Sequence, residues 1–140
     1  MNNPIPYWND TVTLCSKLAG RDSTTKLDTW KKTVLHGCFF KQVVQHDISG
    51  TTVSVGTSSV CRIPKNPAYK PYHEWKEDIS DGFSISTGDY IFKGELSEDV
   101  NADNITSLYN SHKPNAIQIR AVSDNSDFMG LVEHYRVEGV

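Results

Sequence analysis

The chain has few of the groups from which active centres are built. Its five histidines, His36, His46, His73, His112 and His134, form no HxH or HExxH pattern, and none stands at zinc-finger spacing from a cysteine. The three cysteines, Cys15, Cys38 and Cys61, include no CxxC pair. Their odd number and their strand-like surroundings argue for buried free thiols and a reducing compartment. Neither GxxxxGKS/T nor GxGxxG occurs, so Gly88-Asp89 and Lys93-Gly94 make no phosphate cradle. Glu74, Glu77 and Asp78 lack the alternation and the closing glutamate of a calcium loop. His36 and Cys38, two apart on one strand face, supply only half of a four-ligand metal site. A thiol enzyme built on the same pair has no local signature. The expectation is a protein that is not an enzyme and uses no cofactor and no metal.

Long apolar runs are missing as well. Nothing approaches the length of a membrane span, and Met1-Asn2-Asn3-Pro4 lacks the basic start and apolar core of a secretory leader. There is no long amphipathic helix and no internal repeat. With 140 residues, 37% hydrophobic and 22% charged, the chain suits one polar-surfaced domain with a modest core. The net charge of −3 gives no overall case for nucleic-acid binding. Lys31, Lys32, Lys41, Arg62, Lys65 and Lys70 tint the first half basic, without the interleaved aromatics of a single-strand platform. The charge is uneven. Residues 74–103 carry nine acids against Lys76 and Lys93, a balance of −7, which leaves +4 elsewhere. Such asymmetry either steers self-association and keeps a polyanion moving past, or marks a solvated acidic loop.

What is present is β structure around one short stretch, residues 85–95. Gly88-Asp89 is a turn signal, Tyr90-Ile91-Phe92 a run of strand formers, and Lys93-Gly94 a second reversal. A strand apolar on both faces belongs inside a sheet system. Residues 10–18 form a first strand with Val12 and Leu14 on one face and Thr11, Thr13 and Cys15 on the other. Residues 29–44 form a second β region that bends at Gly37. Residues 46–50 read as a turn, and residues 51–55 and 57–63 as two strands parted by Gly56. Residues 103–112 predict a short helix capped by Asp103, with Ile105, Leu108 and Tyr109 on one face. Residues 116–122 alternate with Ile117, Ile119 and Ala121 inward. Residues 132–138 place Tyr135 and Val137 inward, and Asp124-Asn125-Ser126-Asp127 joins the two as an antiparallel hairpin.

Between these strands lies residues 64–87, punctuated by Pro64, Pro67 and Pro71, which exclude a strand or a long helix there. A long ordered insertion in a small domain is usually functional or interfacial. Its aromatics, Tyr69, Tyr72 and Trp75, are candidate binding anchors, with a self-packed satellite cluster as the alternative. Tyr7 and Trp8, on a proline-bearing N-terminal arm, are further anchors for the domain's own core or for a neighbouring subunit. The sum is a mainly β domain, a small antiparallel barrel or sandwich of about seven strands with one long insertion and one short helix. Residues 10–63 and 84–140 form the strands and residues 64–87 the insertion.

Five pieces, in order, span nearly the whole chain: Tyr7-Trp8-Asn9-Asp10-Thr11-Val12-Thr13-Leu14; Trp30 with His36-Gly37-Cys38-Phe39-Phe40-Lys41; Cys61-Arg62-Ile63-Pro64-Lys65; Gly88-Asp89-Tyr90-Ile91-Phe92-Lys93-Gly94-Glu95; and His134-Tyr135-Arg136-Val137-Glu138-Gly139-Val140. Together they resemble the minor capsid or head–tail joining proteins of tailed phages of Gram-positive bacteria. The resemblance implies a small β-barrel that assembles as a ring in the neck of the virion. There it closes the filled head, retains the DNA and provides a platform for the tail. It implies as partners further copies of the chain, a portal-side adaptor, and a tail terminator or tail tube protein. DNA would pass through without sequence-specific contact, and no membrane is involved. Under this reading Glu74, Glu77, Asp78 and Asp81 face the channel or an adjoining ring, and residues 64–87 make contacts between rings. The insertion is longer than a minimal joining barrel needs. A tail-completion or tail-terminator role, and a carbohydrate- or protein-binding module using Tyr69, Tyr72 and Trp75, are the rival expectations.

Overall fold

The computed structural model describes residues 8–21, 28–50, 52–125 and 133–140. Tyr7, and Ser126 and Asp127 of the expected hairpin turn, lie outside these residues. Six strands close into an antiparallel barrel in the order β1-β2-β3-β6-β5-β4. They are β1 (Asp10–Arg21), β2 (Asp28–Ser49), β3 (Thr52–Pro64), β4 (Tyr90–Lys93), β5 (Ala116–Asn125) and β6 (His134–Gly139). Two short helices, α1 (Tyr72–Trp75) and α2 (Ile105–His112), lie in the connections.

The 22 residues of β2 serve two neighbours. Up to Cys38 the strand pairs with β1, and from Phe39 with β3. The change of partner comes at Gly37, which has a φ of 70°. The β1–β2 register slips by one between Asp10↔Cys38 and Val12↔Leu35, so the bend is a bulge. The bulge also separates His36 from Cys38. His36 is exposed, with Nδ1 3.1 Å from Thr11 Oγ1, whereas Cys38 is buried in the core. The reading that placed them on one face is therefore corrected: an extra residue in the bulge reverses the alternation.

β4 sits between β1 and β5, as its composition predicts. Ile91 joins the barrel interior with Val12, Leu14, Ile63, Ile117 and Val137. Tyr90 and Phe92 belong to a second cluster with Cys15, Leu96, Ile105 and Ala116. Leu108 and Tyr109 of α2 pack onto that cluster, which identifies the helix face read from the sequence. β1 is consequently buried on both sides, since Thr13 and Cys15 are as inaccessible as Val12 and Leu14. Thr13 is satisfied there by donating to Gly94 O (2.8 Å) and accepting from Leu96 N (2.9 Å).

Several local expectations are corrected. Residues 52–64 form one strand, not two, because Gly56 pairs with Gln45 in an unbroken ladder. The expected turn at residues 46–50 is strand up to Ser49, and Gly50 takes a turn conformation, with φ 62°. This reduces seven strands to six. The cap of α2 is Asn104, not Asp103. Asn101 Oδ1 accepts from the N–H groups of Asp103 and Asn104 (2.8 and 3.0 Å), so a side chain upstream of the helix organises its entry. Ala121 is exposed, because the β5–β6 register shifts between Ile119 and Ala121.

Candidate functional site

Residues 64–87 form a strap laid on the barrel, held at several points. At its start Lys65 N donates to Glu133 O (3.1 Å), while Lys65 Nζ bonds Asp124 Oδ1 (2.6 Å) and lies 3.9 Å from the Tyr135 ring centre. Lys70 N donates to Phe83 O (2.8 Å) and Phe83 N to Ala68 O (3.1 Å), which pinches the strap into a loop. The pinch needs glycine at 82. Its φ is 81°, and a Cβ there would stand 2.2 Å from Ala68 O. Lys31 Nζ donates to Gly82 O, and Ser16 Oγ to Ser84 O (2.8 Å), tying the strap to β2 and β1.

The strap's aromatics face the domain. Trp75 is 0% exposed. Tyr69 packs 4.5 Å from Tyr135 and edge-on to Phe83 at 5.9 Å. Tyr72 is half-buried, 6.0 Å from Trp75. On the N-terminal arm Trp8 is 8% exposed and meets His134 edge-on at 5.1 Å. Of the two expectations for Trp75 and Trp8, packing within the domain is the one their burial favours, because it leaves a partner almost nothing to touch. The carboxylates behave oppositely: Glu74, Glu77, Asp78 and Asp81 are all exposed. Asp81 pairs with Lys70 at 2.5 Å. Asp78 accepts from the N–H (3.1 Å) and hydroxyl (2.5 Å) of Ser80, bonds that hold its carboxyl below the ordinary value.

A second acidic segment is tied down in the same way. Lys32 Nζ donates to Leu96 O and Glu98 O, both at 3.0 Å. Adjacent lysines of β2 thus reach to opposite sides, one to each acidic segment. Between them lies a cleft of about 430 Å³ lined by Trp30, Lys31, Lys32, Ile79, Ser80, Asp99 and Val100. Trp30 rests against Tyr90 at 5.5 Å. Part of the basic tint in the first half therefore fastens the acidic excursions to the barrel. Trp30 gave no site signal in the sequence, because the cleft joins three segments far apart in the chain.

Asp89 is the other feature that a linear reading underrates. It is 3% exposed. Oδ2 accepts from Ser86 N (3.0 Å), closing the turn at Gly88, and Oδ1 accepts from Lys17 N (3.1 Å) on β1. Its backbone carbonyl accepts from Ile119 N of β5 (2.7 Å). One residue thus clasps β1, β4 and β5 at their common end. Burial outweighs the two N–H donors and pushes its carboxyl up to about 7. It also lines a cleft of about 250 Å³ with Lys17, Tyr72, Ser86 and Thr87.

The thiols are buried and free. Burial pushes Cys15 and Cys38 up to about 12 and raises Cys61 well above the ordinary thiol value. With so little thiolate available, all three are expected to resist alkylation at pH 8 in the native protein and to react together on unfolding. Rapid native labelling of Cys38 would contradict this arrangement. Among the described residues, no three His, Cys, Asp or Glu side chains gather as a metal site requires. No helix among them is long and apolar enough to cross a membrane.

No curated protein and no solved structure matches the chain. Residues 7–140 match a family described as a family of unknown function, DUF6751. That match takes in the barrel, the strap and the Asp89 clasp, and the chain belongs to this family.

Proposed function

We propose that the protein is a structural virion subunit of the phage head–tail connector, in the head-closure or stopper position. A ring of its copies retains the packaged DNA and provides the tail's docking platform. The observation that carries this reading is the strap: Glu74, Glu77, Asp78 and Asp81 stand exposed on a segment fastened to a closed barrel. Carboxylates held out on an anchored element repel a passing phosphate backbone. The ordered resemblance to head–tail joining proteins supports the same reading. The partners that follow are other copies of the chain, a portal-side adaptor and a tail terminator or tail tube protein.

The test is a charge reversal, Glu74→Lys with Glu77→Lys, in a phage that carries the gene. These side chains are exposed, so the barrel is expected to melt as before, while particles lose packaged DNA or fail to gain tails. Wild-type titre and DNA content would count against the reading. The Trp30 cleft favours one other reading, a binding module for a carbohydrate or a peptide. Its mark would be saturable binding by the isolated monomer, abolished by Trp30→Ala.

A further inference from the structure

The β2–β3 pair runs on past the barrel. β1 pairs with β2 only as far as Cys38, and β6 pairs with β3 only from Ser59 to Pro64. From Val43↔Ser58 to Ser49↔Thr52, seven residue pairs form a ribbon of two strands. At ~3.4 Å per residue that is roughly 24 Å of ladder. No third strand among the described residues pairs with either edge.

Elsewhere in the barrel three edge amides are met by local acceptors. The Lys17 N–H is met by the Asp89 carboxylate, the Phe40 N–H by Asp10 Oδ2 (2.9 Å), and the Lys93 N–H by Asn115 O (2.8 Å). The ribbon also lacks the usual means of keeping an edge solitary, namely lysine and proline. Residues 42–59 contain no lysine, arginine or proline and a single charged residue, Asp47. A free two-stranded ribbon is marginally stable in water, and a bare, nearly uncharged edge is a template for strand addition.

We infer that the ribbon pairs with a second copy of this chain, the β3 edge of one copy against the β2 edge of the next. Among the described residues, each ribbon carries two edges that no strand pairs, and they differ. Head-to-tail pairing satisfies both on every copy, whereas one unrelated strand would leave an edge open. Unlike edges meeting by rotation is the contact that closes rings. With one carboxylate per ribbon, little charge opposes the approach. The inference rests on the ring reading and deepens it by naming the surface through which copies join.

Two variants test it by sedimentation and amide exchange. Val53→Lys with Val55→Lys places repelling charge on the ribbon. Removing residues 45–48 together with residues 53–56 shortens it with the register kept, since four residues leave each strand. The wild type is expected to form oligomers as its concentration rises, with amides of residues 43–58 exchanging at least about tenfold more slowly than in dilute protein. Both variants are expected to remain monomeric with an unchanged barrel melt. Oligomers persisting in the shortened variant would overturn the ribbon as the joining surface and leave the ring reading standing. A wild type that stays monomeric at about 1 mM would overturn the pairing of copies and the unaided ring together.

Discussion

Replacing Trp75 with alanine is expected to lower the stability of the domain by about 3–5 kcal/mol. For a chain of this size that corresponds to a fall of about 10–20 °C in melting temperature. The indole is fully buried although it stands on the strap, outside the barrel strands. Truncation leaves a cavity beside α1, on a strap that Lys31 and Ser16 hold to the barrel at Gly82 and Ser84, which limits how far the site can collapse. A strap folded with the barrel should lose this stability in one cooperative transition, followed equally by far-UV circular dichroism and by tryptophan fluorescence. If residues 64–87 were a loosely attached loop, the cost would stay within about 0.5 kcal/mol. The buried Nε1–H of Trp75 has no partner among the described residues. Trp75→Phe removes that unmet donor while refilling most of the space, so it should cost less than half as much as alanine.

The second large effect is a pH dependence centred on Asp89. Its carboxyl is raised from 3.8 to about 7 in the folded protein because burial disfavours the charge. The sign follows. Between these two values the folded state holds a proton that the unfolded state releases, so this residue's contribution is full below about pH 4. It is lost as pH rises through about 7. Asp89→Asn abolishes the titration and leaves one oxygen for two N–H donors, those of Lys17 and Ser86. The wild type should therefore exceed the variant in stability by about 2–3 kcal/mol more at pH 5 than at pH 8. Urea unfolding of both proteins at the two pH values measures this directly, and differences common to both cancel. A gap that does not change with pH, or one that widens toward pH 8, would mean that the two N–H bonds outweigh burial and the carboxylate is ionised throughout.

Where local chemistry decides, the linear reading and the structure agree. Gly88-Asp89 and Gly94 bracket β4 because positive φ at glycine and an aspartate close to its own backbone make turns without outside help. Gly37 marks the corner of β2 for the same reason. The face of α2 and the inward Tyr135 and Val137 follow from periodicity alone. Where partners decide, the reading fails. Gly56 looks like a break, yet the opposing Gln45 carries the ladder through it. Ala121 looks inward, yet a register shift against β6 turns it out. Trp75 lies in a proline-rich stretch with no periodicity, so nothing local announces that the domain buries it. Lys31 and Lys32 look like a basic surface until the acidic segments fold over and take their ammonium groups as fasteners.

The most direct examination of the connector account is electron cryo-microscopy of particles from a tailed phage carrying the gene, alongside particles in which the gene is deleted. The account predicts a closed ring of six-stranded barrels at the neck of the intact virion, and tail-less heads that leak DNA when the gene is lost. Intact, infectious, tailed particles after deletion, with an unchanged neck, would contradict it.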